Sequence, residues 1–143
     1  MSEKKKILIL CTGNSARSQM AEGLLKHITQ NEYEVLSAGT KPSFVRPEAI
    51  KVLAAIGINI SKNRSKSVDE FTSQKIDFVL TVCDSAKEIC PYFPAHTKLI
   101  HHSFKDPSEV QGNEETRLGA FRETRDQIQT YLKESFCEII GKQ

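Results

Sequence analysis

The chain has 143 residues, enough for one domain with a proper core, and its 20 basic and 18 acidic side chains leave a net charge of +2. That near-balance gives no electrostatic footprint for nucleic acid or an anionic membrane, and Lys4-Lys5-Lys6 reads as a solvated lead-in to a strand. No apolar run is long enough for a membrane span and the N-terminus lacks the apolar core of a signal peptide, so a cytoplasmic protein is expected, where disulfides do not persist.

Residues 5–10 are predicted as the first strand, buried on both faces because its apolar run is continuous. The strand delivers Cys11 into a loop of small and polar residues, Thr12-Gly13-Asn14-Ser15-Ala16, which ends at Arg17. A helix is predicted from about Ser15 to about Gln30, with Met20, Ala21, Leu24, Leu25 and Ile28 on one side. A second strand covers 33–38 and is ended by Gly39 and Pro42. Residues 46–56 read as a helix with Pro47 in its first turn and Gly57 closing it. Ser67-Val68-Asp69-Glu70 matches a capping box and predicts a short helix there. A third buried strand over 78–82 delivers Cys83 to its C-terminal end, and 98–102 is a weaker fourth. The tail, 113–140, reads as one long helix with Leu118, Phe121, Ile128, Leu132, Phe136 and Ile139 as its core stripe. Strands alternating with helices imply an α/β fold with a parallel sheet wrapped on both faces, and no linker or repeat divides residues 1–143 into more than one domain. In such sheets ligands bind beyond the carboxyl ends of the strands, where Cys11 and Cys83 both fall.

The loop at 12–17 has the composition of an anion cup. Small residues let successive backbone N–H groups point inward, the following helix adds its N-terminal partial charge, and Arg17 offers a planar fork to a tetrahedral oxyanion. Cys11 at the floor of that cup lies in a positive field that favours the thiolate, which makes it a nucleophile aimed at the bound oxyanion. The competing reading is a buried cysteine at a strand end and a solvated arginine. A bare C-x5-R would not decide between them, but here it is joined to a buried strand, Gly13, Ser18 and a helix start. Four cysteines, Cys11, Cys83, Cys90 and Cys137, read as redox, catalytic or metal-binding in a reducing compartment; there is no C-x2-C pair and His101-His102 lacks nearby thiols, so no metal is expected. If the segment from Cys83 to Cys90 were helical, its ends would lie about 10 Å apart along the axis, whereas a disulfide needs Cα atoms within about 7 Å. The two thiols are therefore either unrelated core residues or a redox pair whose bonding reshapes the backbone between them. Asp106-Pro107, in the polar loop after the fourth strand, is either a plain turn or a carboxyl placed to protonate a leaving oxygen.

On CTGNSARSQMAEG at 11–23, SAGT at 37–40, VCDSAKEICP at 82–91 and DP at 106–107, the chain resembles the thioredoxin-coupled arsenate reductases, which are built on the low-molecular-weight protein tyrosine phosphatase fold. The resemblance spans nearly the whole chain and implies a four-stranded parallel sheet flanked by helices on both faces. It implies that Cys11 is the nucleophile, Thr12, Gly13, Asn14, Ser15, Ala16 and Arg17 hold the oxyanion, Ser18 supports the Cys11 sulfur, and Asp106 is the general acid. It also implies that Cys83 and Cys90 carry a disulfide cascade, with arsenate as substrate, no bound cofactor, reducing equivalents from thioredoxin and a weak phosphatase side activity. A monomer is expected. Some relatives hold potassium through positions equivalent to Asn14, Glu22, Ser37 and an aspartate; this chain carries Lys66 where the aspartate falls, so a tethered ammonium is expected in the ion's place. Cys137 has no role in the pattern. The alternative within the same fold is a protein tyrosine phosphatase, which needs Cys11, Arg17 and Asp106 but leaves Cys83 and Cys90 unexplained and finds no aromatic residue at 107–115 to wall its substrate.

Overall fold

A computed structural model describes residues 4–71, 73–83 and 97–141. Strand β1 (Lys6–Cys11) leads to helix α1 (Arg17–Ile28), β2 (Glu34–Gly39) and α2 (Pro47–Ala54). A 3-10 turn at Val68–Glu70 precedes β3 (Phe78–Thr81) and β4 (Lys98–His101). After a second 3-10 turn, Pro107–Glu109, the chain ends in α3 (Glu114–Tyr131), which runs through a π-helical turn (Leu132–Phe136) into α4 (Cys137–Gly141).

The four strands pair in parallel in the order β2-β1-β3-β4. The chain leaves β1 toward one edge and returns past it to β3, so the sheet's switch point lies at the C-terminal ends of β1 and β3, where open α/β sheets bind their ligands. Those ends carry Cys11, opposite Gly39 in register, and Cys83, two residues past Thr81. Strand β1 is central for a plain reason: Ile7, Leu8, Ile9 and Leu10 are all wholly buried, so both its faces must be covered. The weaker fourth strand is an edge strand, with Leu99 63% exposed. Helices α1, α2 and α3 pack against one another, and α2 is held to α3 by Arg117–Glu48 (3.2 Å) and by Arg125 Nη1 on the Val52 carbonyl (2.9 Å). No described helix is long and apolar enough to cross a membrane.

Three departures from the sequence expectation each have a local reason. Helix α1 starts at Arg17 rather than Ser15 because the preceding backbone is spent on the loop: Asn14 has φ +49° and Ala16 is not helical. It stops at Ile28 because Gln30 and Asn31 turn left-handed at φ +53° and +62°. In the C-terminal helix the π turn closes its hydrogen bonds one residue further on than an α turn. The core stripe therefore steps through Leu132 and Phe136 to Ile140, which is 3% exposed, and Ile139 lies only partly buried beside it. The capping box at Ser67 holds: its side chain accepts from Asp69 N (3.1 Å) and Glu70 accepts from the Ser67 backbone.

Candidate active site

The loop after β1 is shaped by where its carbonyls go. Cys11 O accepts from Thr40 N (3.3 Å), Thr12 O from Lys41 N (2.8 Å), and Gly13 O from Ser43 N (3.1 Å) and Ser65 Oγ (2.8 Å). Asn14 O accepts from Gln19 Nε2 (3.2 Å) and Ser15 O from Arg46 N (3.0 Å). With the carbonyls of 11–15 held by surrounding segments, the N–H groups of Gly13, Ser15, Ala16 and Arg17 have no acceptor among the described residues. They are the donors of an anion cup at the N-terminus of α1. Gly39 makes the close fit of loop to sheet possible, since a β-carbon there would lie 2.5 Å from Thr12 O.

Cys11, 2% exposed, sits at the base of the cup. Its sulfur lies 3.2 Å from Asn14 N and 2.9 Å from Ser18 Oγ. Asn14 Nδ2 donates to Ser18 Oγ (2.8 Å), so the serine's own hydrogen is free to point at the sulfur. Arg17 Nη1 donates to Phe104 O (3.0 Å), and Nη2 stands 3.4 Å from Asp106 Oδ2. Its Nε is buried with no hydrogen-bond partner among the described residues, a donor left over for an oxyanion. Asp106 caps the turn at Pro107–Glu109: Oδ1 accepts from Ser108 N (3.0 Å) and Ser108 Oγ (2.7 Å). With Oδ1 tied up, Oδ2 is the oxygen that faces Arg17 and can handle a proton.

Cys83 lies at the end of β3, 4% exposed, with its sulfur 3.4 Å from Thr12 Oγ1. A second thiol is thus placed against the first residue of the oxyanion loop. The structure brings together Cys11, Thr12, Asn14, Arg17, Ser18, Cys83 and Asp106, while Cys90 lies outside the described residues. Cys137 is on α4, where burial pushes its thiol pKa up. Sequence reading missed the service of Gln19, wholly buried and bonded to Asn14, and of Phe44, which is 52% exposed with the Arg46 guanidinium 5.0 Å from its ring centroid. The Phe44 loop carries Lys41, Ser43 and Arg46 onto the cup and so forms part of its rim. An aromatic before the second helix, next to SAGT, was the available signal.

Behind the cup, Ser37 Oγ accepts from Asn14 Nδ2 (3.0 Å) and donates to Glu22 Oε1 (2.5 Å). Glu22, 5% exposed, also pairs with Lys26 Nζ at 2.9 Å. Lys66 Nζ lies 4.0 Å from Glu22 Oε1 and donates to Arg64 O (3.0 Å), with its side chain only 13% exposed. Burial, above all, pulls the Lys66 pKa below its usual value, while Glu22 opposes that shift. These residues do not fit a potassium ion: an ammonium already faces Glu22, and Asn14 Oδ1 already accepts from Lys66 N (2.8 Å) and Gln19 Nε2 (3.0 Å).

Residues 6–143 match the family model described as low molecular weight phosphotyrosine protein phosphatase. An arsenate reductase of Halalkalibacterium halodurans is 42% identical over 135 residues, covering 94% of this chain and 96% of that protein. One from Bacillus subtilis is also 42% identical, covering 92% of this chain and 95% of that protein. Among solved structures, an arsenate reductase in an oxidized state superposes with TM-score 0.79 at 28% identity, covering 94% of this chain and 98% of that one. A thioredoxin-dependent arsenate reductase of Corynebacterium glutamicum gives 0.77 at 26% identity, over 99% of this chain and 65% of that one. A low molecular weight protein tyrosine phosphatase from T. tengcongensis also gives 0.77, at 25% identity, over 98% of this chain and all of that one (100%).

Proposed function

This chain belongs to the low molecular weight phosphotyrosine protein phosphatase family, and within it we propose an arsenate reductase that draws its electrons from thioredoxin. The observation that carries this reading is the second buried thiol, Cys83, held against Thr12 at 3.4 Å. Phosphate-ester hydrolysis needs one nucleophilic sulfur; reduction of an oxyanion needs another sulfur within reach of the first.

Arsenate enters the cup on the free N–H groups and Arg17, and the Cys11 thiolate attacks arsenic. An arsenic–oxygen bond breaks as Asp106 Oδ2 delivers a proton, so water leaves and a Cys11–arsenic(V) adduct remains. The Cys83 thiolate then attacks the Cys11 sulfur; the sulfur–arsenic electron pair goes to arsenic, which departs as arsenite, and a Cys11–Cys83 disulfide forms. Thr12 Oγ1 is placed to support Cys83 as this attack begins. The Cys90 thiolate next attacks Cys83, freeing Cys11 and carrying the oxidising equivalents to a Cys83–Cys90 disulfide, which thioredoxin's dithiol reduces. The enzyme works as a cytoplasmic monomer of one domain and holds no cofactor of its own.

Arsenate-dependent NADPH consumption with thioredoxin and thioredoxin reductase tests the reading. Cys83→Ser and Cys90→Ser should each abolish multiple turnover while sparing hydrolysis of an aryl phosphate, which needs only Cys11, Arg17 and Asp106. Full coupled turnover in both variants would leave the phosphatase reading standing. Phe44 favours a modest phosphatase activity beside the reductase, because an exposed ring on the rim offers a stacking face to an aryl ester. Phe44→Ala should then raise KM for the aryl phosphate and leave that for arsenate unchanged.

A further inference from the structure

We propose that Gln19 is a positioning residue for the Cys11 nucleophile, acting through Asn14 and Ser18 without touching the sulfur or the substrate. The inference rests on Cys11 being the attacking atom of the reaction above. Gln19 is wholly buried and both ends of its amide are used. Nε2 lies 3.0 Å from Asn14 Oδ1, 3.0 Å from Arg64 O and 3.2 Å from Asn14 O, and Oε1 accepts from Asn63 Nδ2 at 3.0 Å.

The consequence is an oriented amide one step closer to the sulfur. Asn14 Oδ1 receives Gln19 Nε2 and Lys66 N (2.8 Å), which uses both its lone pairs. The Asn14 nitrogen must therefore face the other way, toward Ser18 Oγ (2.8 Å) and Ser37 Oγ (3.0 Å). Ser37 passes its own hydrogen to Glu22, so it cannot donate back to Asn14. Ser18, occupied as an acceptor, has its hydrogen left for Cys11 at 2.9 Å. Were the Asn14 amide reversed, its oxygen would face Ser18 and compete with the sulfur for that hydrogen. Gln19 also binds the carbonyl of Asn14, whose φ of +49° aims its N–H at the sulfur at 3.2 Å. Two of the donors on Cys11 thus depend on one buried amide that never meets them. The sequence placed Gln19 on a helix next to Ser18 but offered no sign of this service.

Gln19→Met keeps the length of the side chain and removes every hydrogen bond. The rate of Cys11 alkylation by iodoacetamide, followed on the Cys11 peptide by mass spectrometry across pH, reads the nucleophile directly and does not depend on arsenate being the substrate. The expected result is a rate near neutrality roughly tenfold lower, the scale of a weakened hydrogen bond to an anion, with the half-maximal pH of the profile moved upward. In a Ser18→Ala background the same substitution should cost clearly less than in the wild type, because the path through Ser18 is already gone and only the path through the Asn14 N–H remains. An unchanged profile, or an equal loss with and without Ser18, overturns the proposal. Where Gln19→Met does not fold, Asn63→Ala removes the anchor on Gln19 Oε1 together with a longer bond to Glu22 Oε2 (3.4 Å), and leaves the Gln19 bonds to Asn14 in place; a smaller shift of the same sign supports the assignment and no shift overturns it. If these shifts appear but arsenate is not reduced, the positioning role stands and the substrate assignment falls.

Discussion

Gly39→Ala is a demanding test of how the cup is built. A β-carbon at Gly39 would stand 2.5 Å from Thr12 O, 2.9 Å from Asn14 N and 3.1 Å from Asn14 Cβ. Neither side can yield freely: Gly39 is in register with Cys11 on β1, its N–H is bonded to Lys66 O at 2.8 Å, and Thr12 O is held by Lys41 N. Bringing the 2.5 Å contact out to a tolerable 3.0 Å moves loop or strand by at least about 0.5 Å. Overpacking of that kind costs about 1–3 kcal/mol, or roughly 3–10 °C in Tm for a chain of this size. The greater effect falls on chemistry, since a displacement near 1 Å at a reacting group costs on the order of 100-fold. We expect kcat/KM to fall about tenfold or more, for arsenate in the thioredoxin-coupled assay and for p-nitrophenyl phosphate alike. Gly57→Ala is the control: with φ +84° and nothing within 4 Å, it should lower Tm without touching either rate. If Gly39→Ala keeps both rates within about twofold of wild type, the loop's position does not depend on that contact and the reasoning fails.

Arg17→Lys should depress kcat/KM for either oxyanion by roughly 100-fold or more, because one ammonium cannot replace the planar fork that serves the oxyanion, Phe104 O and Asp106 together; phosphate inhibition constants would check the binding share. Asp106→Asn keeps an acceptor for Ser108 but loses the proton of Oδ2, and kcat for both reactions should fall about 10²–10⁴-fold with loss of one limb of the pH profile; an unchanged limb refutes the assignment. His102, stacked on Tyr131 at 4.0 Å, has its pKa lowered beneath 6.5 mainly by burial, with His101 adding to the effect. Its folded value lies below its unfolded one, so the unfolded chain binds the proton more readily and stability is lost as pH falls through the region below 6.5. Tm measured from neutral to acidic pH should show that slope, and His102→Gln should flatten it.

The parts of the site that a sequence displays are those set by local chain order. Cys11 and Arg17 stand on a strand–loop–helix unit whose spacing alone places them on one cup, and Asp106 is marked by the proline after it. What escaped depends on contacts between distant segments. Gly39 reads as a strand terminator, and only the approach of Thr12 O shows why no larger residue fits. Gln19 looks like any polar residue on the first turn of a helix until the 63–64 segment is seen folded onto it. Residues 107–115 past Asp106 hold no aromatic residue, whereas Phe44 arrives from the loop after β2, whose backbone is bonded to the cup. Ile139 lost its place on the core stripe to Ile140 because a single π turn shifts the phase of a helix, which a fixed period of 3.6 cannot foresee.

Lys66 invites the last test, because the cluster behind the cup is arranged around a charge that the chain supplies itself. Glu22 is nearly buried and paired with Lys26; Lys66 Nζ, 4.0 Å from Oε1, brings a second positive charge to it from a side chain 13% exposed. Wild-type Tm and arsenate turnover should therefore be the same in potassium and in sodium at equal ionic strength, a comparison that removes general screening. Lys66→Asp sets a second carboxylate against Glu22 beside Ser37 Oγ, and paired carboxylates with a hydroxyl are oxygen donors suited to a hard cation. That variant should lose stability in sodium and recover part of it in potassium. Lys66→Met should be destabilised in both salts alike, since it takes the second positive charge from Glu22 without creating a new ligand. The pH dependence gives an independent check: burial holds the ammonium below 10.5 in the fold, so the folded chain binds its proton less readily than the unfolded chain. Stability should accordingly rise as pH climbs toward 10.5, and Lys66→Met should remove that slope. A potassium-specific rise in the wild type, or the same salt response in wild type and Lys66→Asp, would show that Lys66 is not the cation this cluster is built around.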